Sequence, residues 1–479
     1  MMIDFTGMAP SRVLALFQEL SRVPRGSGNR KGIADFVEQF AANRGLRCVH
    51  DAAHNVIVYK SGSTGREHEP PVILQGHLDM VCQKTADSPI DFERDGIELY
   101  IDGDELRAVG TTLGADNGIA AAMIMAVLED NTLSHPPIEA VFTADEEIGM
   151  LGAWDLDMSL LSGRRMLNLD AEEDDTLTVS CAGGSELLMN VHVTRELHRG
   201  KPVTVTLFGL LGGHSGIEID KDRANADKWM GRLLSACYDG DLRLVDIHGG
   251  DKGNAIPNTC TAVVYVREPD SFAQSAATFL RELRESLSET EPHFDFSITV
   301  GDEDLLFPMT IADTLRVLTL LSAVPDGVVR MSDEIDGLVE TSLNLGILKT
   351  DGNDVILHHT LRSNKQHALE LLERTVCNGA GHLADSIETF GHYPPWEFKA
   401  DSPLQRTFAS CYEAQYGKAP KIEAIHAGLE CAVFASRLEG LDCIAFGPSM
   451  HDVHTTKEAL NIPSTAGTFS LLLTILETL

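Results

Sequence analysis

Basic residues are scarce in this sequence: 38 Lys and Arg stand against 72 Asp and Glu, a formal charge of −34 at pH 7. So acidic a chain repels the phosphate backbone of nucleic acids, and no nucleic-acid partner is expected. Apolar runs of membrane-spanning length are missing as well. Residues 1–8 carry no basic stretch followed by an apolar core and a small-residue cleavage site. A cytoplasmic protein with no membrane partner is the expectation. Paired cysteines are the third gap. The nine are odd in number, scattered from Cys48 to Cys443 and never in a C-x-x-C pair, which fits reduced thiols and offers no cysteine-built zinc site.

What is present is a long chain of globular composition, 479 residues with 43% hydrophobic and 23% charged. That length exceeds one ordinary core, so two domains or one domain with a large insertion are expected. Apolar spacing predicts helices over 14–17 and 33–40, then strands over 55–59 and 72–76, the latter stopping at His77-Leu-Asp79. The same grammar recurs: Gly114-Ala-Asp116-Asn-Gly118 opens an apolar helix over 119–128, the strand 138–143 ends at Asp145-Glu-Glu147, and the strand 166–169 ends at Asp170. Strands alternating with helices indicate an α/β layered sheet, whose functional groups gather beyond the carboxyl ends of its strands. His77, Glu146, Glu147 and Asp170 all fall there.

Beyond about residue 186 longer alternating strands appear, such as 203–207 and 262–266, interleaved with helices over 272–287 and 315–321. This predicts a second α/β domain of two similar halves, spanning 187–397. Tyr393-Pro-Pro-Trp396 favours an extended exit from it. Residues 398–479 then return to the first domain of 1–186 with a helix over 431–435, a strand over 443–446, a loop holding His451 and His454, and a last helix over 468–476.

Hydrolytic zinc takes imidazole and carboxylate ligands and leaves one position open. His77 and Asp79 flank a single residue, so Asp79 can accept the imidazole N–H that a metal leaves unused; alone, H-x-D fits a structural pair equally well. Asp116, set among glycines at a helix start, suits a bridging carboxylate held between two cations about 3.5 to 4 Å apart; alone, it also reads as an N-cap. Glu146 and Glu147, adjacent at a strand end, repel one another unless cations share them. A solvated acidic turn is the alternative for that pair.

Taken together, His77-Leu-Asp79, Gly114-Ala-Asp116-Asn-Gly118, Glu146-Glu147, Asp170 and a late His454 occur in an order that resembles the co-catalytic zinc family of dipeptidases, aminoacylases and carboxypeptidases. Six stretches in order carry the likeness toward a dipeptidase branch: Gln75-Gly-His-Leu-Asp-Met80, Gly110-Thr-Thr-Leu-Gly-Ala-Asp-Asn-Gly118, Cys181-Ala-Gly-Gly184, Gly212-Gly-His-Ser-Gly216, Asn254-Ala-Ile-Pro257 and His426-Ala-Gly-Leu-Glu-Cys431. The resemblance implies a zinc-peptidase-type catalytic domain, a mixed sheet between helices, with an inserted α/β lid domain. His77 and Asp170 would hold one ion, Glu147 and His454 the other, and Asp116 would bridge. Glu146 would be the general base and Asp79 would orient His77. His451 competes for the late ligand, but His454 stands where the family motif puts it. Asp170, where some members carry Glu, is associated with substrates bearing a free amino group.

The same resemblance gives the lid its roles. His214 would stabilise an oxyanion, Asn254 would hold substrate backbone, and Arg362 would clamp the substrate carboxylate, with the lid opening and closing. Two of them have an ordinary alternative: a structural imidazole for His214 and a surface ion pair for Arg362. The implied function is a two-zinc dipeptidase for unblocked dipeptides with a C-terminal histidine, such as carnosine-like substrates, with homodimerisation through the lid in view. Manganese or cobalt suits the same ligands. An N-acyl amino acid deacylase, or a non-catalytic peptide- or metal-binding protein of the same fold, are the rivals; the presence of Glu146 speaks against the latter.

Overall fold

The computed structural model describes residues 3–479 and divides into two compact units. The first comprises Met1–Ser180, Phe398–Ala424 and Leu429–Leu479; the second comprises Cys181–Glu397 and Ile425–Gly428. The second unit thus starts at the buried Cys181, whose N–H and C=O pair with Trp396 near the unit's exit.

The sheet of the first unit runs in the order Arg47–His50, Val56–Lys60, Ile138–Thr143, Val72–His77, Arg165–Asn168, Asp442–Ala445, Thr176–Cys181, Lys421–Ile425. Its centre is parallel: Val72–His77 lies beside both Ile138–Thr143 and Arg165–Asn168, and Asp442–Ala445 continues from the latter. Val72–His77 and Ile138–Thr143 are buried at every position, as strands covered on both faces must be. Because these strands point one way, the turns after them open on one side.

The helix Ala115–Glu129 is apolar all round and buried from Asn117 to Leu128, so it needs protein on every face. It packs against Ser11–Ser21 and Val72–His77. Its last carbonyls meet the buried Lys60 ammonium, which donates to Val127 at 2.8 Å and also to Asp130, a cation placed where the helix dipole favours it. A smaller four-stranded sheet, Met450–His451, Ala459–Asn461, Glu105–Ala108 and Leu99–Asp102, anchors the tail hairpin that carries His454.

The second unit is built on a sheet with a palindromic order. Asp295–Val300, Pro202–Phe208, Cys260–Tyr265 and Arg243–Gly249 form one side; Val339–Asp351, Asp354–Ser363, Gly183–His192 and Ser386–Tyr393 form the other. Each side is strand, helix, strand, strand, helix, strand in chain order, apart from one further strand on the second side, Gly327–Met331, which pairs antiparallel with Val339–Asp351. The helices are Ala226–Ala236 and Pro269–Ser286 on one side, Ile311–Ala323 and Gln366–Ala380 on the other. The two similar halves are therefore present, joined where Arg243–Gly249 meets Val339–Asp351 in antiparallel pairing. One half is inserted after the first strand of the other, and helices and strands of both share one core that includes Leu187, Val205, Met230, Leu280, Leu320 and Leu357.

Candidate active site

Within the first unit, three strand ends and one helix start bring the acidic residues together. His77 closes its strand almost wholly buried. Its Nε2 lies 3.0 Å from Asp116 Oδ1 and 3.8 Å from Asp170 Oδ1. Its Nδ1 faces Asp79, 3.2 Å from the main-chain oxygen and 3.4 Å from Oδ1. The other oxygen of Asp116, Oδ2, is 3.1 Å from His454 Nε2, and that nitrogen is 3.0 Å from Glu147 Oε1. One carboxylate thus stands between two imidazoles. Of the four groups of ligand atoms that lie mutually within 4.8 Å among the described residues, three are built here: His77 with Asp116 and Asp170, Asp116 with Glu147 and His454, and His77 with Glu146 and Glu147; the fourth is Asp35 with Glu38 and His50. His451 is exposed and joins none of the groups found among the described residues.

The backbone around Asp116 explains its projection. Gly114 takes φ +67, and a Cβ there would lie 2.5 Å from Arg25 Nη2 and 2.6 Å from the Met80 sulfur, so only glycine fits. Asp116 itself is outside helical geometry (φ −76, ψ 108) and caps nothing. The amides of Leu113, Gly114 and Ala115 instead donate to Glu458, at 2.8, 3.0 and 2.8 Å. Arg25, fully enclosed, donates to the carbonyls of Leu78, Asp79 and Gly114. Asp79 does more than face His77: it accepts from the amides of Glu146 (3.0 Å) and Glu147 (3.3 Å) and from Ser27 Oγ (2.8 Å), and so fixes the acidic turn as well.

The electrostatics show a site short of positive charge. Burial pushes the Glu146 carboxyl up to about 8, with Glu430, Glu147 and Asp116 adding to it against the pull of His77. Asp170 is driven well above the carboxylate range by burial and by the acids around it. Burial opposes a charge on His77, yet its bonds to Asp116 and Asp79 outweigh that and raise it well above an ordinary imidazole. His454 rises to about 10 through its bonds to Asp116 and Glu147. Imidazoles that gain from a positive charge, beside acids that resist ionising, form a donor set that cations would suit. Two imidazoles and four carboxylates suit divalent ions of the zinc type.

The second unit holds a different cluster. His214 sits in a glycine-rich turn, with Gly212 and Gly213 at φ +63 and +142. Its Nδ1 accepts from the amides of Gly216 (3.1 Å) and Ile217 (3.2 Å). Both partners are donors, so the ring proton belongs on Nε2, which is left as a donor. Asn254 is exposed, and its carbonyl accepts from Ser215 one residue beyond His214. Arg362 is buried, donates to the Tyr393 hydroxyl at 2.8 Å and keeps its Nε unpartnered. His426 bonds Asn364 through Nδ1 and Ser342 through Nε2. Burial, then the Arg362 charge, takes it down to about 3, so it is neutral; burial and Arg362 lower His214 likewise.

Several of these residues carry no sequence signal for their role. Arg25, Ser27, Glu430, Glu458 and Tyr393 act on partners tens to hundreds of positions away. The one stretch His426–Cys431, which holds both Glu430 and His426, stood out as family likeness rather than chemistry, and Tyr393 only as part of an extended exit.

Comparison with known proteins follows this geometry. The profile of peptidase family M20/M25/M40 matches residues 73–478. The cytosol non-specific dipeptidase of Escherichia coli is 34% identical over 487 residues, covering 99% of each chain. The crystal structure of aminoacylhistidine dipeptidase from Vibrio alginolyticus superposes with a TM-score of 0.90 at 35% identity, covering 100% of this chain and 98% of that one. An aminopeptidase from Bacillus cereus, 14% identical with a TM-score of 0.57 and 98% coverage of both, shares the fold.

Proposed function

The chain belongs to peptidase family M20/M25/M40, and from that membership we propose a metal-dependent dipeptidase that holds two divalent ions, zinc before manganese or cobalt, and works in the cytoplasm on small peptides. The single observation that carries the two-ion reading is Asp116: its two oxygens stand 3.0 and 3.1 Å from the Nε2 atoms of His77 and His454. A carboxylate placed so joins two ligand sets, His77 with Asp170 and His454 with Glu147. Among the described residues, no helix is long and apolar enough to cross a membrane.

Bound divalent ions would polarise the scissile carbonyl and lower the pKa of water. The chain's own groups do the rest. Glu146 takes a proton from the attacking water and returns it to the departing amine, a task for which a carboxyl raised toward neutrality is suited. Asp79 keeps His77 and the Glu146–Glu147 turn in place. In the second unit, here given the role of lid over 187–397, His214 offers its Nε2 proton to the developing oxyanion. Arg362, braced by Tyr393, binds the substrate carboxylate, and Asn254 binds substrate backbone.

The relatives are named for a non-specific and for an aminoacylhistidine dipeptidase. We place this chain with unblocked dipeptides, C-terminal histidine included. Metal analysis of the purified protein, with kinetics on unblocked dipeptides, tripeptides and N-acetyl amino acids, tests this. Hydrolysis of dipeptides with two ions per chain is the expected outcome. Turnover confined to N-acetyl amino acids would make it a deacylase instead.

A further inference from the structure

One buried carboxylate beneath the acidic cluster has no part in the chemistry above. Glu430, the first residue of the helix Glu430–Arg437, is fully enclosed. Its Oε2 accepts from Gln75 Nε2 and, at 2.7 Å, from Thr143 Oγ1; its Oε1 has no partner. Gln75 Nε2 also reaches Thr143 Oγ1 at 3.2 Å, and Gln75 Oε1 accepts from Asn168 Nδ2. This row therefore crosses three adjacent parallel strands.

Each member sits just before a proposed ligand or the proposed base. Gln75 is two residues before His77, Asn168 two before Asp170, and Thr143 three before Glu146. Side chains two apart on a strand share a face, and Gln75 is in register with Asn168. The row is thus the layer directly under His77 and Asp170. A buried carboxylate with an unpartnered oxygen costs stability that an apolar side chain would not. Such costs are met where the group orders a functional site.

We propose that Glu430 is a positioning residue for the metal centre: as the acceptor for Gln75 and Thr143, it fixes the spacing of the strand ends that present His77, Asp170 and Glu146. This rests on the two-ion reading above. The hydrogen bonds, not the charge, carry the effect. A glutamine at 430 can turn one amide oxygen to the same two donors; an alanine removes the acceptor they share, leaving the Thr143 hydroxyl without one and Gln75 only its contact with Thr143 Oγ1.

The test is made on the full chain with cobalt and with zinc at pH 8, reading the visible cobalt spectrum and zinc affinity by competition with a chelating indicator. Glu430→Ala is expected to shift the cobalt bands and weaken zinc binding about 10- to 100-fold. Glu430→Gln should restore both to within about twofold of the unaltered protein, since it keeps the acceptor. Val433→Ala, a cavity on the same helix, should lower Tm with an unchanged cobalt spectrum. If Glu430→Ala does not fold, Thr143→Val decides: it removes one of the two donors, and a cobalt band shift is expected. An unaltered spectrum and affinity in the variants that fold would overturn the proposal, as would Glu430→Gln behaving like Glu430→Ala. Failure of the unaltered protein to bind cobalt or zinc would instead remove the two-ion reading.

Discussion

The two polar clusters of this chain are opposites. That of the first unit is rich in carboxylates whose ionisation is resisted by burial and by each other, with two imidazoles that gain from a positive charge. The cluster of the second unit has a buried guanidinium with an unpartnered nitrogen, beside imidazoles pushed toward neutrality. The first set suits cations and the second suits an anion. Each cluster should therefore respond to its own kind of substitution.

The largest expected effect is in the first cluster. Glu146→Gln should lower kcat by about 10²- to 10⁴-fold with metal content retained, as the proposed division between Glu146 as base and other residues as ligands requires. Steady-state kinetics beside metal analysis checks this. A variant that loses its metal would turn Glu146 from base to ligand.

In the second cluster, His214→Ala should cost about 10²- to 10³-fold in kcat with little change in KM, as the proposed role of its Nε2 proton requires. Arg362→Ala should raise KM for unblocked dipeptides about 10- to 100-fold, the worth of a charge-assisted bond, and leave metal content alone. Peptides with an amidated C-terminus should be much less sensitive to that change. Equal losses on both kinds of substrate would detach Arg362 from the carboxylate.

The last effect concerns stability rather than turnover. Asp326, buried in the second unit, accepts from Leu345 N and Asn225 Nδ2. Burial raises its carboxyl to about 6 from 3.8. A raised acid prefers the protonated form in the folded state, so its contribution is most favourable below about pH 4 and is lost as pH climbs through 6. That loss is on the order of 3 kcal/mol. Asp326→Asn should therefore flatten the dependence of Tm on pH between 4 and 6. A slope unchanged by the substitution would assign it to other groups.

The first cluster was the more legible in the sequence. Apolar runs that stop abruptly at His77, Glu146 and Asp170 mark parallel strand ends, and strand ends are where such sheets place chemistry. The helix after Asp116 announced itself by its continuous apolar character. What could not be read was the support. Glu458 satisfies amides at 113–115, and Arg25 is enclosed by carbonyls from two loops. Neither has a local pattern, because the partner is chosen by tertiary packing.

In the second unit the helical stretches 272–287 and 315–321 suggested two halves, yet their interleaving was hidden. Gly183–His192 belongs with strands more than 150 residues later, and only the pairing register shows it. The tautomer of His214 was equally out of reach, since it depends on which backbone amides approach Nδ1.

The most direct measurement is the metal stoichiometry of the purified chain, unaltered and as Asp116→Ala, set beside dipeptidase activity before and after chelation. Two divalent ions per chain in the unaltered protein, neither held tightly once the shared carboxylate is gone, and activity that disappears on chelation and returns with zinc are expected. A chain that hydrolyses dipeptides at full rate without metal, or that binds both ions undiminished without Asp116, would contradict the two-ion centre.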